Sequence, residues 1–213
     1  MPPFRQVPFR QVPFRQVSGP AAPFLAPNVD TDVIIRIERL TGVPRAGLGR
    51  YAFEALRTGS DGRPGPDFIL DRPAFRGAPI LIAGRNFGCG SSREGAVWAL
   101  MGLGLRVVIA ESFGDIFFNN CFQNGLLPVV LPRETVERLA AEAEAGAPVT
   151  VDLVAREVRA PSGEIVPFAV DPQRRQALLE GLDEIGATLK RDPEIAAWQA
   201  RDRAARPWIW ATG

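Results

Sequence analysis

The chain of 213 residues contains no histidine, a single lysine and two cysteines. Each shortage removes chemistry. Without imidazole no side chain of this protein can activate a serine in the Ser-His manner. With Lys190 as the only lysine, neither a P-loop lysine nor Schiff-base catalysis is available. Cys89 and Cys121 stand far apart with no CxxC. That spacing speaks against a disulfide framework, and two thiols cannot ligate a four-cysteine zinc or iron–sulfur site from this chain alone. The expectation is a reducing, cytoplasmic protein. No apolar run approaches the roughly 20 residues of a membrane span, and the N-terminus lacks the apolar core of a signal peptide. Charge of either sign is not in excess: 25 basic against 24 acidic residues leave +1, which argues against a nucleic-acid partner.

What is present reads as an ordinary globular composition, 46% hydrophobic and 23% charged, large enough for a core. The chain begins with PFRQV three times in succession, at 3–7, 8–12 and 13–17. A five-residue period fits no solenoid or heptad, so a tandem duplication is expected, loose upstream. The last copy is positioned to start a first strand, with SGPAAPFL leading into a short return strand. PNVDTDVIIRIERLTG follows as a turn and an apolar stretch. Residues 43–66 are rich in Gly and Pro, with a short helix expected at RYAFEALR. Loop-rich stretches of this kind tend to carry binding residues.

Between Pro79 and Leu131 the pattern is regular. PILIAG, RVVIAES and LLPVVL are continuous apolar runs of buried parallel strands. SSREGAVWALMGLG and FGDIFFNNCFQNG between them read as helices, the second presenting Ile116, Phe117 and Phe118 on its apolar face. This strand–helix alternation predicts an α/β fold with a small parallel sheet. Beyond Pro132 come a surface helix, a hairpin turning at PSG, a last helix over PQRRQALLEGLDEIGATLKR, and a polar tail with Trp198, Trp208 and Trp210. The organisation expected is a repeat at 1–17, a domain at 18–132, and a helical and hairpin extension at 133–213 packed on that domain.

GRNFGCGSSREG, residues 84–95, lies where a parallel strand ends and a helix begins, the usual place for a ligand. A GxGxxG motif would need glycine at 93 after Gly88 and Gly90, and Arg93 stands there; a nucleotide is therefore not expected. Two readings of the segment compete. Ser91-Ser92-Arg93-Glu94 fits the S-x-x-E capping box, in which Ser91 caps the helix and Glu94 reaches back. Alternatively, a helix N-terminus carrying roughly half a positive charge and an adjacent guanidinium polarise a serine hydroxyl. Arginine also grips a carboxylate bidentately. A Ser-Ser-Arg set thus suits a di- or tricarboxylate whose carbon-bound proton a serine removes.

NVDTDVII, NFGCGSSRE, SFGDIFFNNCFQNGLLP and GLDEIGATL, in this order, resemble the small subunits of 3-isopropylmalate dehydratases, in the aconitase superfamily. The resemblance spans roughly residues 18 to 195. It implies a three-layer β/β/α swivelling domain like the final domain of aconitase. It also implies a separate large subunit that bears a [4Fe-4S] cluster and the histidines missing here, so that no cofactor is expected on this chain. The implied reaction removes water from 2-isopropylmalate and re-adds it to give 3-isopropylmalate, a step of leucine synthesis. By the same resemblance Ser91 matches the base that takes the Cα proton, and Ser92 and Arg93 match neighbours that bind substrate carboxylate. Arg45, in PRAGLG, matches a second substrate arginine, and Asp30, Thr31 and Asp32 match the DTD lining the site.

Three positions depart from the family pattern. Gly95 stands where the usual run is SSREH, Arg36 replaces the proline of DTDxIIP, and the loop reads RAGLG rather than RTGFG. None removes Ser91 or Arg93, so hydro-lyase chemistry is still expected, while the substrate stays open among related malates, 2-methylmalate (the citraconate relative) and homocitrate included. A non-catalytic binding protein is the reading of another class, against which the charge balance and the intact Ser-Ser-Arg weigh.

Overall fold

In the computed structural model, which describes residues 12–58, 68–91 and 93–210, the organising element is one long strand that changes partners midway. Strand β1 (Gln16–Phe24) pairs through Gln16–Pro20 with β5 (Pro148–Asp152), antiparallel, and through Ala21–Phe24 with β2 (Ile80–Ala83), parallel. Each half is paired on one side only, which leaves room for Pro20 and Pro23, residues without a donor for a second ladder. SGPAAPFL therefore continues this same strand as far as Phe24, across the change of partners, and does not lead into a return strand. The reason is long-range: an edge of β2 is available to it, and nothing local forces a turn.

After β1 come α1 (Thr31–Ile34), α2 (Ile37–Gly42), a 3₁₀ segment (Arg45–Tyr51), α3 (Glu54–Arg57) and a short 3₁₀ turn (Ile69–Asp71). Strand β2 then leads through α4 (Glu94–Gly102), β3 (Val107–Ala110) and α5 (Asp115–Asn124) to β4 (Leu127–Val130). Next follow α6 (Arg133–Ala143), β5, β6 (Glu157–Arg159), β7 (Ile165–Pro167), α7 (Pro172–Glu180), α8 (Glu184–Leu189), α9 (Asp192–Ala205) and α10 (Pro207–Trp210). The strands form one sheet in the order β4-β3-β2-β1-β5-β6-β7, parallel from β4 to β1 and antiparallel beyond.

The continuous apolar runs make sense once the faces are separated. Leu81, Ala83, Val108 and Ala110 pack with α4, α5 and the 3₁₀ segment in one core, through Ala96, Val97, Leu100, Leu48 and Phe117. Ile80, Ile82, Val107 and Ile109 point the other way, onto α6 and the antiparallel strands, through Val136, Leu139, Val149 and Val158. Strands buried on both faces have no polar side to present, so the alternation of apolar and polar residues is lost. The result is a three-layer α/β domain with helices on one face of the parallel sheet and the curled antiparallel part on the other.

Several elements differ from expectation. The segment 148–167 forms three strands, not a two-stranded hairpin, because the chain also turns after Asp152, where Asp152 Oδ1 accepts from Ala155 N at 2.8 Å. The expected last helix breaks at Gly181 (φ 66°), and Asp183 caps a new start by accepting from Gly186 N. In α5, Phe117 is buried while Ile116 is 57% exposed. The first two PFRQV copies fall almost wholly within residues 1–11, outside the described residues. The third inserts Phe14, 3% exposed, into the second core, and Phe14 N donates to Leu178 O at 2.8 Å.

Candidate functional site

Strand β2 ends at Ala83, and the chain turns through Asn86–Gly90 before α4 begins at Glu94. The turn is built on backbone conformations that only glycine adopts without strain: Gly88 and Gly90 have φ of 72° and 83°. A Cβ on Gly88 would also lie 2.2 Å from the Phe117 ring. Backbone bonds fasten the turn to the segment after β1. Gly88 N donates to Val29 O at 2.7 Å and Thr31 N donates to Cys89 O at 3.1 Å. Two glycine-rich or polar segments, some 60 residues apart in sequence, thus become one surface.

The side chains of the DTD segment complete this join. Asp30 caps α1, its Oδ1 accepting from Val33 N at 2.7 Å. Thr31 is 1% exposed and its hydroxyl donates to Ser91 O at 3.3 Å. Asp32, largely exposed, pairs with the guanidinium of Arg93 at 2.5 Å. Asp30, Asp32 and Arg93 line an open cavity of about 430 Å³ together with Arg36 and Glu38. Asp30 is therefore a cap, whereas Thr31 and Asp32 reach across to the glycine-rich turn.

Ser91 is not the helix cap that S-x-x-E predicts. Helix α4 starts two residues later than the sequence pattern suggests, and Arg93 is its N-cap, with no capping bond from the Arg93 side chain. Glu94, the partner expected to reach back, accepts instead from Asn124 Nδ2 at 2.8 Å. Ser91 is exposed, and its hydroxyl has no hydrogen-bond partner among the described residues. Ser92 lies outside the described residues.

Arg45 is placed one step away from the Ser91–Arg93 turn, on the flank of α4. Its guanidinium stacks on the Trp98 ring at 4.7 Å and donates to Asn124 Oδ1 at 3.0 Å. Burial pushes its pKa below the ordinary guanidinium value, and Glu94 acts in the opposite direction; arginine remains charged throughout. Trp98 Nε1 donates to the same Asn124 oxygen at 2.8 Å. Asn124 and Trp98 were not singled out from the sequence. A signal did exist: Glu94 and Trp98 stand one turn apart on α4, an acceptor and a donor on the same face.

Gly95 is buried, and a Cβ there would lie 2.3 Å from Leu40 Cδ2. The space a larger residue would occupy is filled by α2. Among the described residues no group of three or more His, Cys, Asp or Glu side chains stands together to hold a metal ion. Both cysteines are free, and complete burial pushes the Cys121 thiol well above its ordinary value.

The fold and this turn define a class. Residues 12–134 match the aconitase C-terminal domain, and residues 137–172 match a second model described as LeuD_N. Among sequence relatives, the 3-isopropylmalate dehydratase small subunit of Parvibaculum lavamentivorans is 50% identical over 91% of this chain and 97% of its own length. That of Rhodospirillum centenum is 53% identical over 90% and 96%. A solved 3-isopropylmalate dehydratase structure from Methanocaldococcus jannaschii superposes with a TM-score of 0.63 at 26% identity, covering 85% of this chain and 98% of that one. The chain belongs to the family of 3-isopropylmalate dehydratase small subunits.

Proposed function

We propose that the chain is the small subunit of a two-chain hydro-lyase that interconverts 2-isopropylmalate and 3-isopropylmalate by dehydration and rehydration, as a step of leucine biosynthesis. The observation that carries this reading is the Ser91 hydroxyl. It is exposed and has no hydrogen-bond partner among the described residues, at the mouth of the nine-residue helix α4 and two residues before the guanidinium of Arg93. The positive helix end and Arg93 lower the cost of charge on the serine oxygen, so that Ser91 accepts the Cα proton of the substrate. Arg93 and Ser92 take a substrate carboxylate. Arg93 is held by Asp32 in the chain alone, and a bidentate carboxylate ligand competes for the same guanidinium. Arg45 serves as a second cation for the substrate from the flank of α4. Asp30 and Thr31 act by holding the turn.

The donor set of this chain does not suit an iron–sulfur cluster, because two cysteines, one of them buried and hard to ionise, cannot furnish its ligands. We assign the [4Fe-4S] cluster to the large subunit, together with the acid that the reaction needs, and derive no step through it here. Two free thiols and a balanced charge are in keeping with a cytoplasmic enzyme without a nucleic-acid or membrane partner.

The test is anaerobic co-expression with a cluster-bearing large subunit, followed by assay of 2-isopropylmalate, 2-methylmalate and homocitrate for enoate formation. The complex is expected to act on 2-isopropylmalate, and the small chain alone on none of the three. Ser91→Ala should lower kcat by roughly 10²–10⁴-fold, the usual worth of a positioned general base, with assembly intact. Turnover that survives this substitution removes Ser91 from the chemistry. Preference for 2-methylmalate or homocitrate would move the assignment to a related malate.

A further inference from the structure

Asn124 is the last residue of α5, followed by Gly125 at φ 85°. It is 3% exposed, and its amide group is saturated. The oxygen accepts from Arg45 Nη2 at 3.0 Å and from Trp98 Nε1 at 2.8 Å, while the nitrogen donates to Glu94 Oε1 at 2.8 Å and to Asn120 O at 2.9 Å. An amide offers two lone pairs and two protons, and all four are used. The bond to its own helix fixes which way the amide faces, so the oxygen is presented to a cation and the nitrogen to a carboxylate. No other residue type of this size can serve both. Aspartate would repel Glu94, and leucine would take this acceptor away from the half-buried guanidinium of Arg45 and the half-buried indole N–H of Trp98.

The two side chains held apart and in register by Asn124 belong to the two arms of the proposed site. Arg45 opens the 3₁₀ segment, and Glu94 is the first residue of α4, directly after Arg93. We propose that Asn124 is a positioning residue for the hydro-lyase reaction: it locks Arg45 and the Arg93–Glu94 start of α4 into one geometry before substrate arrives. It touches no substrate. Its effect is preorganisation, which removes the ordering cost that two mobile arms would otherwise meet in the transition state.

This inference rests on the function proposed above. The closing experiments separate the two. In the assembled two-chain enzyme, Asn124→Asp keeps the oxygen for Arg45 and Trp98 but sets a carboxylate against Glu94. The charged groups facing position 124 are Arg45 from the 3₁₀ segment and Glu94 from α4. Expected at pH 7.5 is a loss in kcat of roughly ten- to a hundredfold, the scale of an ångström-sized misplacement, with a much smaller change in KM. The deficit should shrink as pH falls, because paired carboxylates take up a shared proton and regain a donor. The double variant Asn124→Asp with Glu94→Gln restores a donor–acceptor pair across the same gap and should recover most of kcat. A folding defect from the same repulsion would lower the thermal midpoint of the complex, whereas misplacement lowers kcat with the complex folded and assembled.

Wild-type turnover combined with unchanged kcat and KM in Asn124→Asp overturns the positioning role and leaves the proposed function standing. Should the wild-type complex fail on all three malates, the functional reading falls, and the isolated chain still decides about the hub. The Trp98 indole proton, followed by NMR exchange, should be protected relative to that of the exposed Trp208 and lose protection in Asn124→Ala. Equal exchange of the two indoles in the wild type overturns the inference by itself.

Discussion

Gly95 illustrates how a single atom decides what a motif means. Read in sequence, it is a missing histidine in SSREH; in space, its hydrogen faces Leu40 of α2, which fills the volume. Gly95→His should therefore push the half-buried Leu40 side chain aside and destabilise the chain by about 1 kcal/mol, the low end of overpacking because a flexible side chain gives way, measured as a lowered urea midpoint. Adding Leu40→Ala should recover part of that loss, since the two positions share one space and their effects cannot be additive. Cys121 makes a second case. Burial holds its thiol well above the ordinary value, so the folded state keeps it protonated. Stability from this group is present below the unfolded thiol pKa, about 8.5, and erodes as pH rises past it. Because the thiolate is the nucleophile, iodoacetamide at pH 8 should label Cys89 in the native chain and reach Cys121 only on unfolding, as peptide mass spectrometry can follow.

Among the elements, β2, β3, β4, α5 and α6 fall close to where apolar runs and helical spacing put them, since each is bounded by local signals such as Gly125 after α5. Those that departed lack such signals. The start of α4 goes with the ties of Thr31 and Asp32 to the turn, and Arg93, not Ser91, is its N-cap. The length of β1 is set by two partners on opposite sides. The third PFRQV copy, which reads as repetitive sequence, anchors this strand through Phe14. Phe14→Ala is expected to cost roughly 3–5 kcal/mol, as for a buried aromatic, seen as a large drop in the thermal midpoint.

At the scale of the molecule, burial is uneven. The sheet carries both cores, and α6 with the antiparallel strands shares one of them with β1–β4. We propose that 133–180 therefore belongs to the same cooperative unit as the parallel sheet. Helices α8, α9 and α10 bury no residue, and Trp198 and Trp208 are 51% and 71% exposed. Deleting residues 192–213 should thus leave the thermal midpoint of the isolated chain within a few degrees, a smaller change than Phe14→Ala, because little apolar surface leaves the core. The class of fold, the three central strands and the glycine-rich turn with Ser91 and Arg93 were legible in the residues themselves, because short-range periodicity and turn chemistry dictate them. The shortage of histidine, lysine and cysteine likewise bounded the chemistry before any coordinate. Tertiary structure alone decided that DTD lies on that turn, that the Ser91 hydroxyl has no partner among the described residues while Glu94 is held by Asn124, and that Leu40 takes the space over Gly95. Each of these joins segments distant in the chain, and packing between such segments leaves no local periodicity to read.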